Sequence, residues 1–277
     1  MSLHVSLLTV PDNTELEHIL RAPVSNRICM HSWPLSMVEE IQMLDGQKYI
    51  LKTQLSCASV ERAFYEKVEH SLLLSLHAAG SLADCDYLIL PHAGGITESW
   101  DGLSDDEIRT RVRSLSAKFS RMQNAPVFYD LSSPERFSAA MDEIHPILHE
   151  GVLTVQEYDT LLSWCRSVAP CCWNAPVGLL HGDLKGGNIL HDAHGRQFVI
   201  DWQRPLLAPL PLEESIALLL GGRSASDNTE FGVLALLYLA HWYAWAYGKC
   251  LPAPFVRDIA VSYVRKSLDI INEHRHG

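Results

Sequence analysis

The stretch from Leu179 to Gln203 constrains the fold more than any other part of this sequence. It contains LLHGDLKGGNIL and then FVIDWQ, so each short apolar run ends in polar residues. Such runs predict short strands that end in tight turns, and the glycines permit the backbone that these turns need. Asp201 follows Asn188 by thirteen residues, with a turn at residues 193–195 between them. A hairpin of that length would bring these two residues close together.

The polar residues of this stretch carry the candidate chemistry. A carboxylate and an amide oxygen are hard ligands suited to Mg²⁺, which keeps some waters and completes its shell with phosphate oxygens. Asn188 and Asp201 therefore predict a magnesium site. Asp183, five residues before Asn188, is left available to accept a proton from a hydroxyl. His191 and His194 could suggest another metal, but HDAHG is more typical of a hairpin turn.

These residues resemble the catalytic and metal-binding motifs of the aminoglycoside phosphotransferase and choline kinase family, relatives of the protein kinases. HGDLKGGN is similar to the family pattern HGDxxxxN, and IDWQ to a later hydrophobic-Asp-aromatic pattern. The resemblance implies that Asp183 is the catalytic base and that Asn188 and Asp201 bind magnesium. It makes His181 a structural member of the loop. Lys185 resembles a lysine of Ser/Thr protein kinases that neutralises the transferred phosphoryl group.

The resemblance extends into the first hundred residues. Lys52, in YILK, matches the strand lysine that grips the phosphates of ATP. Glu61, in ERAFYEKV, looks like the helix glutamate that holds this lysine, with Glu66 a weaker candidate. Glu61 could instead be a helix N-terminal carboxylate favoured by the dipole. The strand ending in LILPHAGG resembles the adenine-binding hinge, which implies that Leu90 and His92 bind the nucleotide.

One feature departs from the protein kinases, which cover the phosphates with a Gly-rich loop. The corresponding turn here is Trp33-Pro34-Leu35-Ser36 and contains no glycine. How the phosphates are covered is therefore left open by the sequence.

The predicted fold is α+β and two-lobed, like that of a protein kinase. Residues 1–91 would form the nucleotide-binding lobe, a small antiparallel sheet with one helix, which starts at Ser59 and continues to Leu76. Residues 92–277 would form a larger, mainly helical lobe that carries the catalytic and acceptor-binding residues. Capping boxes, S-x-x-E and T-x-x-E, predict helix starts at Ser104 and Thr154.

Composition and charge exclude several other classes. The chain has 33 acidic and 22 basic residues and a net charge of −11, so it is a poor general binder of nucleic acid. Seven cysteines without a CxxC pair, and no signal-peptide pattern, predict a cytoplasmic protein. Residues 231–248 carry no charge, but their many aromatic residues favour a buried helix, so no membrane partner is expected.

The predicted function is ATP- and Mg²⁺-dependent transfer of the γ-phosphate to a hydroxyl of a small molecule. The acceptor could be an aminoglycoside, an amino sugar, a choline-like compound or another alcohol. A protein kinase and a nucleotide-binding pseudokinase are the alternatives. The chain after IDWQ leaves no room for the long activation segment of a protein kinase. The presence of all three acidic or amide positions argues against a pseudokinase.

The C-terminal residues bear on the charge of the acceptor. Residues 201–277 contain eight acidic, seven basic and nine aromatic residues. A pocket for a polycation should concentrate carboxylates, whereas a neutral or singly charged acceptor can rely on aromatic faces. The sequence therefore predicts an acceptor with at most one or two positive charges, although Glu213, Glu214 and Asp227 could supply carboxylates. The same region contains an aromatic group that either packs in the core or stacks on the acceptor: Trp242, Tyr243, Trp245 and Tyr247.

Overall fold

The computed structural model describes residues 8–119, 121–149, 153–224 and 229–276. They form two compact units. The sheet unit comprises the described residues up to Glu98, with Asn124–Pro126 and Gly187–Gln203. The helical unit comprises the described residues of Ser99–Gln123 and Val127–Gly186 and those from Arg204 onward. The predicted lobe boundary at residue 91 stays a prediction.

Eight α-helices and eleven β-strands lie within the described residues. The helices α1 to α8 are Asn13–Leu20, Glu61–Lys67, Asp105–Phe119, Pro134–His149, Val155–Ser167, Pro211–Leu220, Thr229–Lys249 and Pro254–His276. The strands β1 to β11 are Val24–Trp33, Ser36–Met43, Lys48–Leu55, Ala78–Leu82, Cys85–Pro91, Ile96–Thr97, Tyr129–Asp130, Val177–Leu180, Ile189–His191, Gln197–Val199 and Leu206–Pro209.

A five-stranded antiparallel sheet, ordered β1-β2-β3-β5-β4, forms the main part of the sheet unit. The turn between β2 and β3 lies at Asp45-Gly46 as predicted, and Gly46 has the left-handed φ of 86° that such turns require. On one face of the sheet, Ile41 and Leu51 are fully buried in an apolar core. This core fixes the register of β3, the strand that carries Lys52.

Helix α1 completes that core and adds a second helix to the first hundred residues, where the sequence analysis expected one. Its fully buried Leu16 belongs to the same apolar cluster as Ile41. Asp12 and Glu15 form a reciprocal capping box, with Glu15 N donating to Asp12 Oδ1 at 2.8 Å. The D-x-x-E pattern before a short apolar run was the available signal for this helix.

Helix α2 is much shorter than predicted. It ends at Lys67, and Val68 adopts an extended conformation. The predicted continuation to Leu76 is wrong because the backbone turns to meet β10, where Val199 N donates to Leu72 O at 2.7 Å. Leu72 is nevertheless buried, so its apolar character reflects the core and not a helix face.

Strand β4 was not predicted from the sequence, because AAGSL lacks the alternation of large apolar residues that is typical of a strand. Gly80 pairs with Tyr87 of β5. A Cβ at Gly80 would lie 2.4 Å from the Tyr87 hydroxyl oxygen, so the tyrosine ring covers the space above the glycine. Tertiary contact with β5, and not local propensity, therefore specifies this strand.

Helix α7 is the interior helix of the helical unit. Residues 232–242 are all buried, and α7 packs against α4, α6 and α8. This explains the long uncharged run that the sequence shows. Within the described residues, no helix combines the length and apolar character needed to cross a bilayer. The predicted capping boxes at the starts of α3 and α5 are both present.

Strand β8 leads directly into the HGDLKGGN loop. It pairs with β11 antiparallel, and β11 pairs with β7. Leu180 at the end of β8 and Leu206 opposite it are fully buried. The start of the loop is therefore anchored in the core of the helical unit.

Candidate active site

Lys52 and Glu61 form a buried ion pair in the sheet unit. Lys52 Nζ lies 2.6 Å from Glu61 Oε2, and the two residues are 7% and 1% exposed. Glu66 instead pairs with Arg62 at the surface, 3.0 Å away. The structure thus brings together the lysine and the first of the two glutamates that the sequence singled out.

Glu61 also holds the IDWQ segment in place. Its Oε1 accepts a hydrogen bond from Trp202 N at 3.0 Å, and its Oε2 accepts one from Gln54 Nε2 at 2.7 Å. The Trp202 indole stacks on Phe64 of α2, with ring centroids 4.5 Å apart. The residue after Asp201 is therefore fixed to α2 by both its backbone and its side chain.

Asp201 contacts Lys52, and the residue before it, Ile200, contacts Asn188. Asp201 Oδ1 accepts a short hydrogen bond from Lys52 Nζ. The backbone of Ile200 donates to Asn188 O at 2.9 Å, so the predicted hairpin does return the chain to Asn188. Asp201 has a left-handed φ of 72°, which costs energy in a non-glycine residue and commonly marks functional positions.

Two opposing effects act on the pKa of Lys52. Burial lowers it, but the carboxylates of Asp201 and Glu61 outweigh burial and raise the pKa above its ordinary value. Lys52 therefore stays protonated at neutral pH and presents a fixed positive charge within the sheet unit.

Asp183 and Lys185 lie in the helical unit, at the loop after β8. Lys185 Nζ is 3.1 Å from Asp183 Oδ2 and 3.3 Å from Oδ1. The Asp183 side chain is 14% exposed and that of Lys185 is 45% exposed. His181 is fully buried, and its Nδ1 accepts from Asp183 N at 3.2 Å, so His181 shapes the loop as predicted.

Glu213 of α6 holds this loop through hydrogen bonds to its backbone, a role that the sequence analysis did not identify. Its carboxylate accepts hydrogen bonds from His181 N at 2.6 Å and Gly182 N at 3.1 Å, and one from the backbone of Leu184. Glu213 is fully buried, and burial raises its pKa to about 7 despite these donors. The only local feature in the sequence that marks Glu213 is its place two residues after Pro211, in the first turn of a helix.

Gly182 is required where it stands. It has a φ of 78°, and a Cβ there would lie within 2.7 Å of the Tyr238 hydroxyl, the Arg204 carbonyl and the Leu206 side chain. Tyr238 Oη also donates to Gly182 O at 3.2 Å. The backbone immediately before Asp183 is thus packed tightly against α7 and the start of β11.

The predicted hinge contains an ordered His92 side chain. His92 Nδ1 accepts from Gly94 N at 3.1 Å, so Nε2 carries the proton and faces Glu40 Oε2 at 3.2 Å. The backbone of His92 donates to Lys48 O at 3.1 Å, and Leu90 is buried in β5. The imidazole therefore stabilises the conformation of the hinge segment.

The HDAHG segment forms the turn between β9 and β10. Asp192 Oδ1 accepts from the backbones of His194 and Arg196, both at 2.9 Å, and His191 Nε2 lies 2.7 Å from Glu98 Oε1. Among the described residues, no group of three or more His, Cys, Asp or Glu side chains is placed to hold a metal ion. This segment is accordingly a structural hairpin.

The C-terminal aromatic residues divide between two faces of α7. Trp242 is buried and stacks on Trp245, whereas Tyr243 stacks on Tyr263 of α8. Tyr247 is half-buried. Core packing therefore accounts for much of the group.

Two of the three carboxylates that the sequence analysis considered for a cationic acceptor, Glu213 and Glu214, are engaged elsewhere. Glu213 binds loop backbone, and Glu214 forms a two-pronged pair with Arg113 at 2.7 and 2.8 Å. Asp227 lies outside the described residues.

Comparison with known families identifies this arrangement. A model of the phosphotransferase enzyme family (APH) matches residues 62–250, more than half of the chain. The chain belongs to this family. The predicted resemblance and the predicted enzyme class, a phosphotransferase with an alcohol group as acceptor, are thereby confirmed.

Solved structures share the fold at low sequence identity. A thermostable mutant of aminoglycoside phosphotransferase APH(4)-Ia is similar at 16% identity and a TM-score of 0.60, over 92% of this chain and 99% of that chain. The choline kinase LicA from Streptococcus pneumoniae is similar at 10% identity and a TM-score of 0.63, over 94% and 97%. A choline/ethanolamine kinase family protein from Mesorhizobium loti gives 15% identity and a TM-score of 0.60, over 90% and 87%.

These structures confirm the predicted α+β, protein-kinase-like fold class. A search of curated proteins found no match.

The first prediction concerns Glu213 and pH. Because burial raises its pKa from 4.5 to about 7, the carboxyl stabilises the fold most below about pH 4.5 and progressively less as pH rises to about 7. Relative to Glu213→Gln, which does not titrate, the wild type should lose about 2–3 kcal/mol of unfolding free energy between pH 5 and 7.5. Chemical unfolding at several pH values measures this.

Glu214→Gln is the matched control, because Glu214 is the next residue in the chain and its carboxylate pairs with the largely exposed Arg113. It should change stability by less than about 1 kcal/mol throughout. Parallel pH profiles for the wild type and Glu213→Gln would contradict the assignment.

Proposed function

We propose that this protein is an ATP- and Mg²⁺-dependent small-molecule kinase that transfers the γ-phosphate to a hydroxyl group. The observation that carries the proposal is the buried cluster in which Lys52 lies between Glu61 and Asp201. A fixed ammonium beside a carboxylate is suited to holding a triphosphate and its metal. The helical unit supplies a separate carboxylate, Asp183, on a loop of fixed geometry.

Lys52 binds the nucleotide phosphates, and the hinge segment from Leu90 to His92 binds the base. Because the His92 imidazole is hydrogen-bonded to Gly94 and faces Glu40, the hinge contributes its backbone to this contact. Nucleotide use is supported by similar structures, which include APH(4)-Ia with ADP and hygromycin B and LicA with AMP.

Asn188 and Asp201 would hold Mg²⁺. The donor set fits this ion, since the two residues offer one carboxylate and one amide oxygen, the backbone of Ile200 next to Asp201 donates to Asn188 O, and the remaining ligands can be water and phosphate. When bound, the ion would neutralise charge on the phosphates during transfer. Asp201 would exchange part of its contact with Lys52 for the metal.

Asp183 orients the acceptor and takes the proton of its hydroxyl. The acceptor oxygen then forms a bond to the γ-phosphorus as the bond from that phosphorus to the ADP oxygen breaks. Lys185, whose Nζ is 3.1 Å from Asp183, supplies positive charge next to the transferred group. Glu213 and His181 keep the loop in place, which limits the reorganisation needed during the reaction.

A small molecule is favoured over a protein as the acceptor. Only Arg204 and Pro205 separate the residues of the IDWQ segment from β11. A protein kinase needs a long activation segment at this point in the chain. The wider range of small acceptors, including aminoglycosides, amino sugars and choline-like alcohols, stays part of the proposal.

The second prediction tests the base. Asp183→Asn should lower turnover with the true acceptor by about 10²- to 10⁴-fold, the range for loss of a general base. Because Asp183 is not assigned to the nucleotide, the Kd for ATP, measured by calorimetry, should change little. Asp106→Asn, at an almost fully exposed carboxylate of α3, is the control. Near wild-type turnover for Asp183→Asn would show that another group is the base.

The third prediction tests the buried pair. Lys52→Met should lower kcat/KM for ATP by about 10²-fold, the scale for removing one preorganised donor. Glu61→Gln should lower it less and should raise the KM for ATP, because Lys52 loses one of its two carboxylates. The comparison variant Glu66→Gln removes only a surface pair and should stay within about twofold. If kcat/KM for ATP were unchanged in Glu61→Gln and strongly lowered in Glu66→Gln, Glu66 and not Glu61 would be the partner of Lys52.

The fourth prediction tests the metal ligands. Asn188→Ala and Asp201→Asn should raise the Mg²⁺ concentration needed for half-maximal activity at least about tenfold. Mn²⁺ binding, followed by electron paramagnetic resonance with a non-hydrolysable ATP analogue, gives a readout that does not depend on turnover. Unchanged Mn²⁺ affinity in both variants would exclude these two residues as the ligands.

A further inference from the structure

Tyr65 lies one helical turn after Glu61 on α2. Residues four apart on a helix share a face, so Tyr65 lies on the same side of α2 as the Glu61 carboxylate. Tyr65 is 6% exposed. Its neighbour Phe64 stacks on Trp202, the residue after Asp201. The phenol is therefore buried on the part of the helix that holds the IDWQ segment in place.

The Tyr65 hydroxyl is a buried donor. Its oxygen, Oη, has no hydrogen-bond partner among the described residues. Burial raises the pKa of the phenol well above its ordinary value, and the negative charges of Glu61 and Asp201 raise it further. The hydroxyl therefore keeps its proton at neutral pH, and both carboxylates are close enough to act on it electrostatically.

An unpartnered hydroxyl at this place needs a physical reason. A buried donor without an acceptor destabilises a fold, and such groups are rare in native proteins. Phenylalanine at position 65 would fill nearly the same space without that cost. The hydroxyl of Tyr65 is accounted for if a second arrangement of the same side chains supplies its acceptor.

The proposed role of Lys52 provides this second arrangement. Its ammonium group contacts Glu61 Oε2 at 2.6 Å and also contacts Asp201 Oδ1. Lys52 is assigned to the nucleotide phosphates as well, so in the loaded enzyme its N–H groups are divided between the phosphates and the carboxylates. Asp201, which is assigned to the metal, then gives up part of its contact with Lys52.

Of the two carboxylates, Asp201 is the one whose contacts change. Glu61 keeps a donor on each oxygen when Lys52 turns away, because Oε1 accepts from Trp202 N at 3.0 Å and Oε2 accepts from Gln54 Nε2 at 2.7 Å. Lys52 is the donor that Asp201 gives up. The Tyr65 hydroxyl, a neutral donor within electrostatic reach of Asp201, can replace it.

We propose that Tyr65 is a positioning residue of the metal site, whose buried hydroxyl donates a hydrogen bond to the Asp201 carboxylate when Lys52 turns to the nucleotide phosphates. This inference rests on the proposed kinase function and adds a residue to its site. Tyr65 acts through Asp201 and touches neither substrate nor metal. A hydrogen bond to a metal-binding carboxylate orients that ligand and strengthens the site.

The test is Tyr65→Phe, which removes only the hydroxyl. Without ligands, chemical unfolding should give a free energy of unfolding equal to or above that of the wild type, because an unpartnered buried donor is lost. With a non-hydrolysable ATP analogue, the Kd for Mn²⁺, measured by electron paramagnetic resonance, should rise about tenfold, the scale for one hydrogen bond to a charged group. A hydroxyl with only a structural role would not weaken the metal site while leaving the ligand-free fold intact.

Tyr49→Phe is the matched control, because Tyr49 is a buried tyrosine of the same unit whose Oη already donates to Gln47 Oε1 at 2.6 Å. This variant should lower the free energy of unfolding and leave the Mn²⁺ affinity unchanged.

Two double variants identify the acceptor of the Tyr65 hydroxyl. Tyr65→Phe combined with Asp201→Asn should bind Mn²⁺ no more weakly than Asp201→Asn alone, because the acceptor has already lost its charge. Tyr65→Phe combined with Glu61→Gln should still bind Mn²⁺ more weakly than Glu61→Gln alone.

Several outcomes would overturn the inference. If Tyr65→Phe does not fold, or unfolds more easily than the wild type without ligands, the hydroxyl is already bonded in the ligand-free protein, for example through water to the buried Gln54. An unchanged Mn²⁺ affinity in Tyr65→Phe would show that the hydroxyl does not act on the metal site. An effect that persists with Asp201→Asn and vanishes with Glu61→Gln would make Glu61 the acceptor.

The binding measurements separate this inference from the kinase function. If the wild type binds Mn²⁺ with the nucleotide and Tyr65→Phe binds it more weakly, the inference stands whether or not any acceptor is phosphorylated. If both bind Mn²⁺ equally well, the inference fails and the kinase function is unaffected. If the wild type does not bind Mn²⁺ with the nucleotide, the proposed function fails and the inference fails with it.

Discussion

The sheet unit depends on the ammonium group of Lys52 and the two carboxylates that it contacts. A buried charge is costly unless it is paired, and here burial is offset by Glu61 at 2.6 Å and by Asp201. Glu61 has a second role, because its other oxygen accepts from Trp202 N. One carboxylate therefore links strand β3 to the segment that carries Asp201. Removing it would leave the backbone amide of Trp202 without its partner and Lys52 with Asp201 alone.

The helical unit uses the same device. Glu213 accepts from the backbone of the loop that carries Asp183, as Glu61 accepts from the backbone beside Asp201. In each case a fully buried carboxylate holds a main-chain N–H, which fixes the backbone whatever side chain stands at the held position. A residue with a chemical role can thus lie next to the anchor without being part of it. Glu61 was identified by its motif, whereas Glu213 has no motif of its own and depends on packing.

The sequence predicted what local patterns and motifs encode. Capping boxes located the starts of α3 and α5, and the HGDLKGGN and IDWQ patterns identified the stretch that the structure folds into the loop and hairpin. The sequence-based predictions failed where tertiary contacts determine the local structure. Helix α2 stops because Leu72 O bonds to Val199 N, β4 forms because Tyr87 covers Gly80, and Glu213 acts through a loop about thirty residues away in the chain. None of these contacts leaves a periodic or spacing signal.

The charge of a site is likewise a local property that composition does not give. The chain has a net charge of −11, which by itself would suit a cationic ligand. Near the Asp183 loop, however, Glu213 is bound to backbone and Asp183 lies against Lys185, so these carboxylates are not free to bind one. Arg204 adds a positive charge held against an indole. The electrostatic field that a ligand meets there depends on which partner each charged group is bound to. A count of acidic and basic residues over 201–277 cannot show this.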